Sequence, residues 1–90
     1  MNETAHVMAL NAIQHIAGDE RLLSLFMQQA GMTPDLIRDR IMEPEFQGGV
    51  LDFIMSDDRI ALDFCAAFGH RPDTLQRVRR ALPGAPDEYY

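Results

Sequence analysis

The sequence has no tryptophan, no lysine and one cysteine, Cys65. A single thiol cannot close an intrachain disulfide, so a disulfide-stapled scaffold is excluded and a reducing compartment is expected. All basic residues are arginine, and they are outnumbered by acidic ones, giving a net charge of −6. That balance argues against general nucleic-acid or anionic-membrane binding, because phosphate contacts need positive surface. The sequence contains neither Cys-x-x-Cys nor His-Glu-x-x-His, so His6, His15, His70 and Cys65 match no zinc spacing. Gly48-Gly49 is not followed by the Lys-Ser/Thr of a phosphate loop. No apolar run reaches the roughly 20 residues of a membrane span, and Met1–Val7 lacks a basic leader region. The resulting expectation is a cytoplasmic protein with no membrane segment, metal or cofactor.

What is present is core material. The chain has 90 residues, 47% of them hydrophobic. That length makes one domain, and it buries roughly 60–65% of its unfolded surface. No stretch alternates at period two for long enough to make a strand. The stretch from Pro44 to Met55 organises the rest. Phe46, Val50, Phe53 and Ile54 share one helix face, and Leu51 and Met55 widen it until Gln47 and Asp52 are almost the only polar positions. A helix this apolar belongs in the middle of a bundle.

The flanking helices carry start and stop signals. A first helix is expected from about Thr4 to Ala17 with a stripe of Ala9, Ala12, Ile13 and Ile16. Asp19 caps a second, which carries Leu22, Leu25, Phe26 and Ala30 inward and stops at Gly31. Thr33-Pro34-Asp35 opens a third, with Leu36, Ile37 and Ile41 inward, and Pro44 ends it. Ser56 or Asp57 caps a fifth, whose face is Ile60, Ala61, Phe64, Cys65 and Phe68 and whose stop is Gly69. Pro72-Asp73 opens a sixth, with Leu75, Val78 and Leu82 inward, closed by Pro83-Gly84. The expected fold class is all-α, a compact bundle of about six short helices over residues 1–82. Residues 83–90, ending in Tyr89-Tyr90, are expected to form a flexible acidic tail.

The chain also matches itself at an offset of 38 residues. Ile16, Asp19, Arg21, Phe26, Gly31, Pro34 and Asp35 fall on Ile54, Asp57, Arg59, Phe64, Gly69, Pro72 and Asp73. Two tandem three-helix repeats would produce this, either stacked or arranged about a pseudo-two-fold axis. Common helix grammar would also produce it, and both readings stay open here.

No catalytic constellation emerges. Cys65 lies on an apolar face between Phe64 and Phe68, as an inert buried thiol does. Asp57 and Asp58 read as helix N-terminal charges, Asp63 as part of a solvated face, and His70 as a partner for the last carbonyls of helix five. Two adjacent glycines inside a helix cost about 1 kcal/mol each relative to alanine. Gly48-Gly49 therefore implies a close helix crossing, or a helix that begins after them. The last helix holds Arg71, Arg77, Arg79 and Arg80 against one acid, Asp73, making a candidate anion or partner patch. Those arginines also suit a helix C-terminus.

The string Pro44-Glu-Phe-Gln-Gly-Gly-Val-Leu-Asp-Phe-Ile-Met-Ser-Asp-Asp, with Phe64, Gly69 and Pro72 beyond it, resembles a family of small alphaproteobacterial proteins classed as a domain of unknown function. The unit from Leu22 to Gly31, in a slightly shifted register, and Ile37-Arg38 carry the rest of the likeness over residues 8–82. The resemblance implies a small helical bacterial cytosolic protein and brings no activity, cofactor or binding residue. Lacking catalytic residues and rich in Met and Phe, the chain is expected to be a non-enzymatic interaction module, binding a protein partner or itself as a homodimer. The alternative is a nucleic-acid-binding regulator using the arginine-rich last helix.

Overall fold

A computed structural model describes residues 2–83, which form six α-helices and no strand. They are α1 (Asn2–Ala17), α2 (Glu20–Ala30), α3 (Pro34–Arg40), α4 (Pro44–Met55), α5 (Asp58–Phe68) and α6 (Pro72–Ala81). The tail expected beyond Pro83, with Tyr89 and Tyr90, lies outside the described residues. Among the described residues no helix is long and apolar enough to cross a membrane.

The local signals act as their chemistry dictates. Asp19 Oδ1 accepts from the backbone N–H groups of Arg21 and Leu22 at 2.9 and 3.3 Å, and Asp57 Oδ1 accepts from Arg59 N–H at 2.8 Å. Each satisfies donors that the first helical turn leaves orphaned. Gly31 and Gly69 end α2 and α5 in the left-handed region, at φ 65° and 72°. There the Met27 and Cys65 carbonyls each take two N–H groups, the second from Met32 and His70. Thr33 caps α3 through its hydroxyl, with Pro34 at its first position.

α1 and α4 form the most extensive helix pair and make the centre of the molecule. α4 buries Val50, Leu51, Phe53 and Ile54, and α1 contributes Ala5, Met8, Ala9, Ala12 and Ile16. α2 packs on α1, and α5 on α4. α6 closes the bundle against α1, α4 and α5 through Leu75, Val78 and Leu82, while α3 makes only thin contacts and buries Ile37 alone.

Packing corrects several positions. α1 begins at Asn2, so Thr4 is an exposed residue of its first turn; burial of Ala5 and Met8 extends the helix past the expected cap. On α2 the inward stripe is Leu22, Leu23, Phe26 and Met27, which leaves Leu25 39% exposed and Ala30 at the surface. Leu36 is also 39% exposed, because α3 lies over α1 and α2 by one edge. Gln47 is fully buried.

Helix boundaries agree at the offset of 38: α2 and α5 share both, α3 and α6 share their start, and α1 and α4 share their end. The contacts agree only in part, since α6 packs on α1, α4 and α5 whereas α3 has no comparable contacts. Phe26 of α2 meets Phe53 of α4 edge-on at 5.2 Å, and its counterpart Phe64 of α5 meets His15 of α1 edge-on at 5.7 Å. The crevice under α3 and the crevice under α6 correspond too: Ala17, Leu23, Pro34, Ile37 and Arg38 line one, and Met55, Ala61, Pro72, Leu75 and Gln76 line the other.

Candidate functional site

The residues singled out from sequence do not converge. Arg79 is not a surface cation. Its side chain is 3% exposed, and it forms a bidentate pair with Asp52 of α4, Nε to Oδ1 at 2.6 Å and Nη2 to Oδ2 at 2.9 Å. Its Nη1 donates to the carbonyls of Leu82 and Pro83 at 3.3 and 3.2 Å. The guanidinium thus ties the end of α6 to α4, which takes it out of the expected patch. Arg71, Arg77 and Arg80 remain exposed, and Arg71 pairs with Asp73 at 3.3 Å.

This buried guanidinium also explains one of the two glycines. A Cβ on Gly48 would stand 2.9 Å from Arg79 Nη1 and 3.0 Å from the Pro83 carbonyl oxygen. Gly48 therefore has the close crossing that its sequence implied, although what crosses is a side chain and the backbone that follows α6. Gly49 has no such neighbour: a Cβ there meets nothing within 4 Å.

The histidines are structural in their contacts. His6 Nδ1 donates to Gln47 Oε1 at 2.9 Å, and Gln47 Nε2 donates to the Ile41 carbonyl at 3.0 Å, which satisfies the buried amide. His70 does not cap helix five with its ring. Its backbone N–H does that, and Asn11 Nδ2 donates to His70 Nε2 at 3.1 Å. His15 packs on Phe64 and Phe68. Cys65 is buried, and that burial raises its thiol pKa above the ordinary value, so it is a poor nucleophile. Among the described residues no group of three His, Cys, Asp or Glu is placed to hold a metal ion.

A feature with binding character lies away from the arginines, histidines and cysteine singled out above. A groove of about 430 Å³ runs between α2 and α4. Phe26, Phe46, Val50 and Phe53 supply its apolar wall, and Ala30 and Gly49 give it room. Gln29, Glu45, Asp52 and Ser56 are its polar members, and no arginine or histidine is among its lining residues. Phe26 is held edge-on by Phe46 at 6.2 Å and by Phe53 at 5.2 Å, so the wall is preorganised by ring packing.

At the 38-residue offset the groove's residues fall between α5 and α1. Asn11, at the position of Gly49, bonds His70, at the position of Met32. Phe68, at the position of Ala30, packs on Phe64 and His15. The groove carries glycine and alanine at the positions where that region carries Asn11 and Phe68. The signal in the sequence was Gly49, a helix-interior glycine that no contact among the described residues requires.

A family model described as "Protein of unknown function (DUF3572)" matches residues 2–85. No curated protein and no solved structure matches the chain.

Proposed function

The chain belongs to the DUF3572 family, and from that premise we propose that it is a non-enzymatic interaction module whose docking site is the α2–α4 groove. The observation that carries this reading is Gly49. A glycine inside a helix costs about 1 kcal/mol relative to alanine, and here nothing among the described residues lies within 4 Å of where its Cβ would stand. The space opens into an aromatic groove. Binding grooves of this kind combine an apolar wall with a few polar groups at the edge. The single buried thiol and the resemblance to small alphaproteobacterial proteins support a bacterial, cytoplasmic setting for it.

The test is a comparison of wild type with Gly49→Leu, which extends a side chain into the groove from a position where a Cβ meets nothing within 4 Å. Both are used as baits in the same lysate, and their masses in solution are measured by light scattering. The expected result is a partner retained by wild type and lost by the variant, with both chains equally folded. Loss of a wild-type dimer in the variant would assign the groove to self-association, the homodimer form of the same role. Identical partners and identical masses for the two chains would refute the reading.

A further inference from the structure

We infer that the groove takes an amphipathic helix of a different protein, one that presents large apolar side chains to the aromatic wall and arginine or lysine beside them. This rests on the docking role proposed for the groove and adds the chemistry of the partner.

Charge is the first argument. Glu45 is exposed at the groove, and the Asp52 side chain, though bound by Arg79, is still 43% exposed. α2 brings its C-terminal end to the groove through Gln29, Ala30 and Met32, while α4 lines it along its length from Glu45 to Ser56. Helix C-termini carry partial negative charge, which a basic residue in the last turn usually offsets. α2 has no such residue. The exposed Glu45 carboxylate, the exposed edge of the Asp52–Arg79 pair and the uncompensated end of α2 therefore give one apolar groove a negative rim. A basic flank is the complement.

Shape is the second. The groove runs between two helices joined through Phe26, Phe46 and Phe53, and a third helix laid along them buries its apolar face against those rings. Among the described residues the helices match this description poorly in a second copy: on α5, exposed Leu62 and Arg59 sit beside Asp58 and Asp63. Val7 and Leu10 are exposed on α1, which has no arginine. α6 has exposed arginines, but its Leu75, Val78 and Leu82 are buried. α3 balances Arg38 and Arg40 with Asp35 and Asp39.

The test uses three designed helical peptides of roughly 18 residues, long enough for an isolated helix to form. They share three leucines at i, i+4 and i+7 and differ only in the flanking positions, which are all Gln, all Arg or all Glu. Binding to the full chain is read by fluorescence anisotropy at low and high salt. The expected order is Arg tighter than Gln tighter than Glu, with at least tenfold between the first and last at low salt. High salt should narrow that spread, Glu45→Lys should reduce it at least threefold, and Gly49→Leu should abolish binding of all three. Equal affinity of the three peptides would overturn the charge assignment and leave the groove reading standing. No binding of any peptide to wild type, or binding that Gly49→Leu leaves intact, would overturn both. A concentration-dependent dimer that disappears in Gly49→Leu would assign the groove to a second copy and overturn the choice of partner.

Discussion

The α1–α5 contact and the α2–α4 groove fall on each other at the 38-residue offset, and they are packed differently. Both are built on a phenylalanine, Phe64 or Phe26, held edge-on by a ring from the facing helix. In one, Phe68, His70 and Asn11 close the space. In the other, Ala30, Met32 and Gly49 leave it open. The helix signals that make the two halves alike are local and act before packing: a capping aspartate, a left-handed glycine, a proline at the first turn. What makes them differ is the size of two side chains and the fate of the third helix. α6 is locked onto the bundle by buried Leu75 and Val78 and by the Arg79–Asp52 pair, whereas α3 has only Ile37. α6 is therefore seated more firmly than α3.

The sharpest way to probe this contrast is to truncate the paired phenylalanines. Phe64→Ala should cost about 4–5 kcal/mol and Phe26→Ala about 3, since a side chain facing an open groove leaves less cavity behind. Urea unfolding measures both, and equal losses would mean that the groove is packed as tightly as its counterpart. Next in size is the pair Asp52 and Gln14, which also correspond. Asp52→Ala strands a guanidinium that is 3% exposed and should cost about 3 kcal/mol. Gln14 is a surface residue, and Gln14→Ala should change stability by less than about 0.5 kcal/mol.

The two adjacent glycines should respond with opposite sign. Gly48→Ala pushes a Cβ against Arg79 and Pro83 and should lower stability by about 1–3 kcal/mol. Gly49→Ala meets nothing and should raise it by about 1 kcal/mol through helix propensity alone. Thermal melts of the two variants, moving in opposite directions by several degrees, decide whether the crossing belongs to one glycine or to both.

The smallest expected effect is on pH dependence. Burial raises the Cys65 pKa above the ordinary 9.0, so above that pH the unfolded chain has lost a proton that the folded chain keeps. Stability should therefore be insensitive to this group at neutral pH and fall as pH rises past 9.0. A Cys65→Ala variant, compared with wild type across that range, should lack this component.

Most of the fold was legible in the sequence because helix grammar is local. Asp19, Thr33, Asp57, Gly31, Gly69 and the three prolines Pro34, Pro44 and Pro72 set the boundaries that packing then kept. Inward faces were less legible. Leu25 and Leu36 fit a helical stripe as well as their buried neighbours do, and only the loose seating of α3 and the rotation of α2 leave them exposed. Arg79 was misplaced although a signal existed. It sits at the i+4 position of the Leu75, Val78, Leu82 stripe, where an arginine must either break the face or find a buried acid, and Asp52 is the polar position that α4 offers. The groove was not legible as a groove, because it is defined by missing volume. Only Gly49 announced it, and its meaning emerged once its counterpart, Asn11, was located in the folded chain.

The most direct test of the central claim is to measure the melting temperature of Gly49→Leu and its affinity for the leucine peptide with arginine flanks, on the same sample. The groove being open for a partner predicts a melting temperature at or above that of wild type together with at least a tenfold loss of affinity. A melting temperature several degrees lower, or an affinity equal to that of wild type, would contradict it.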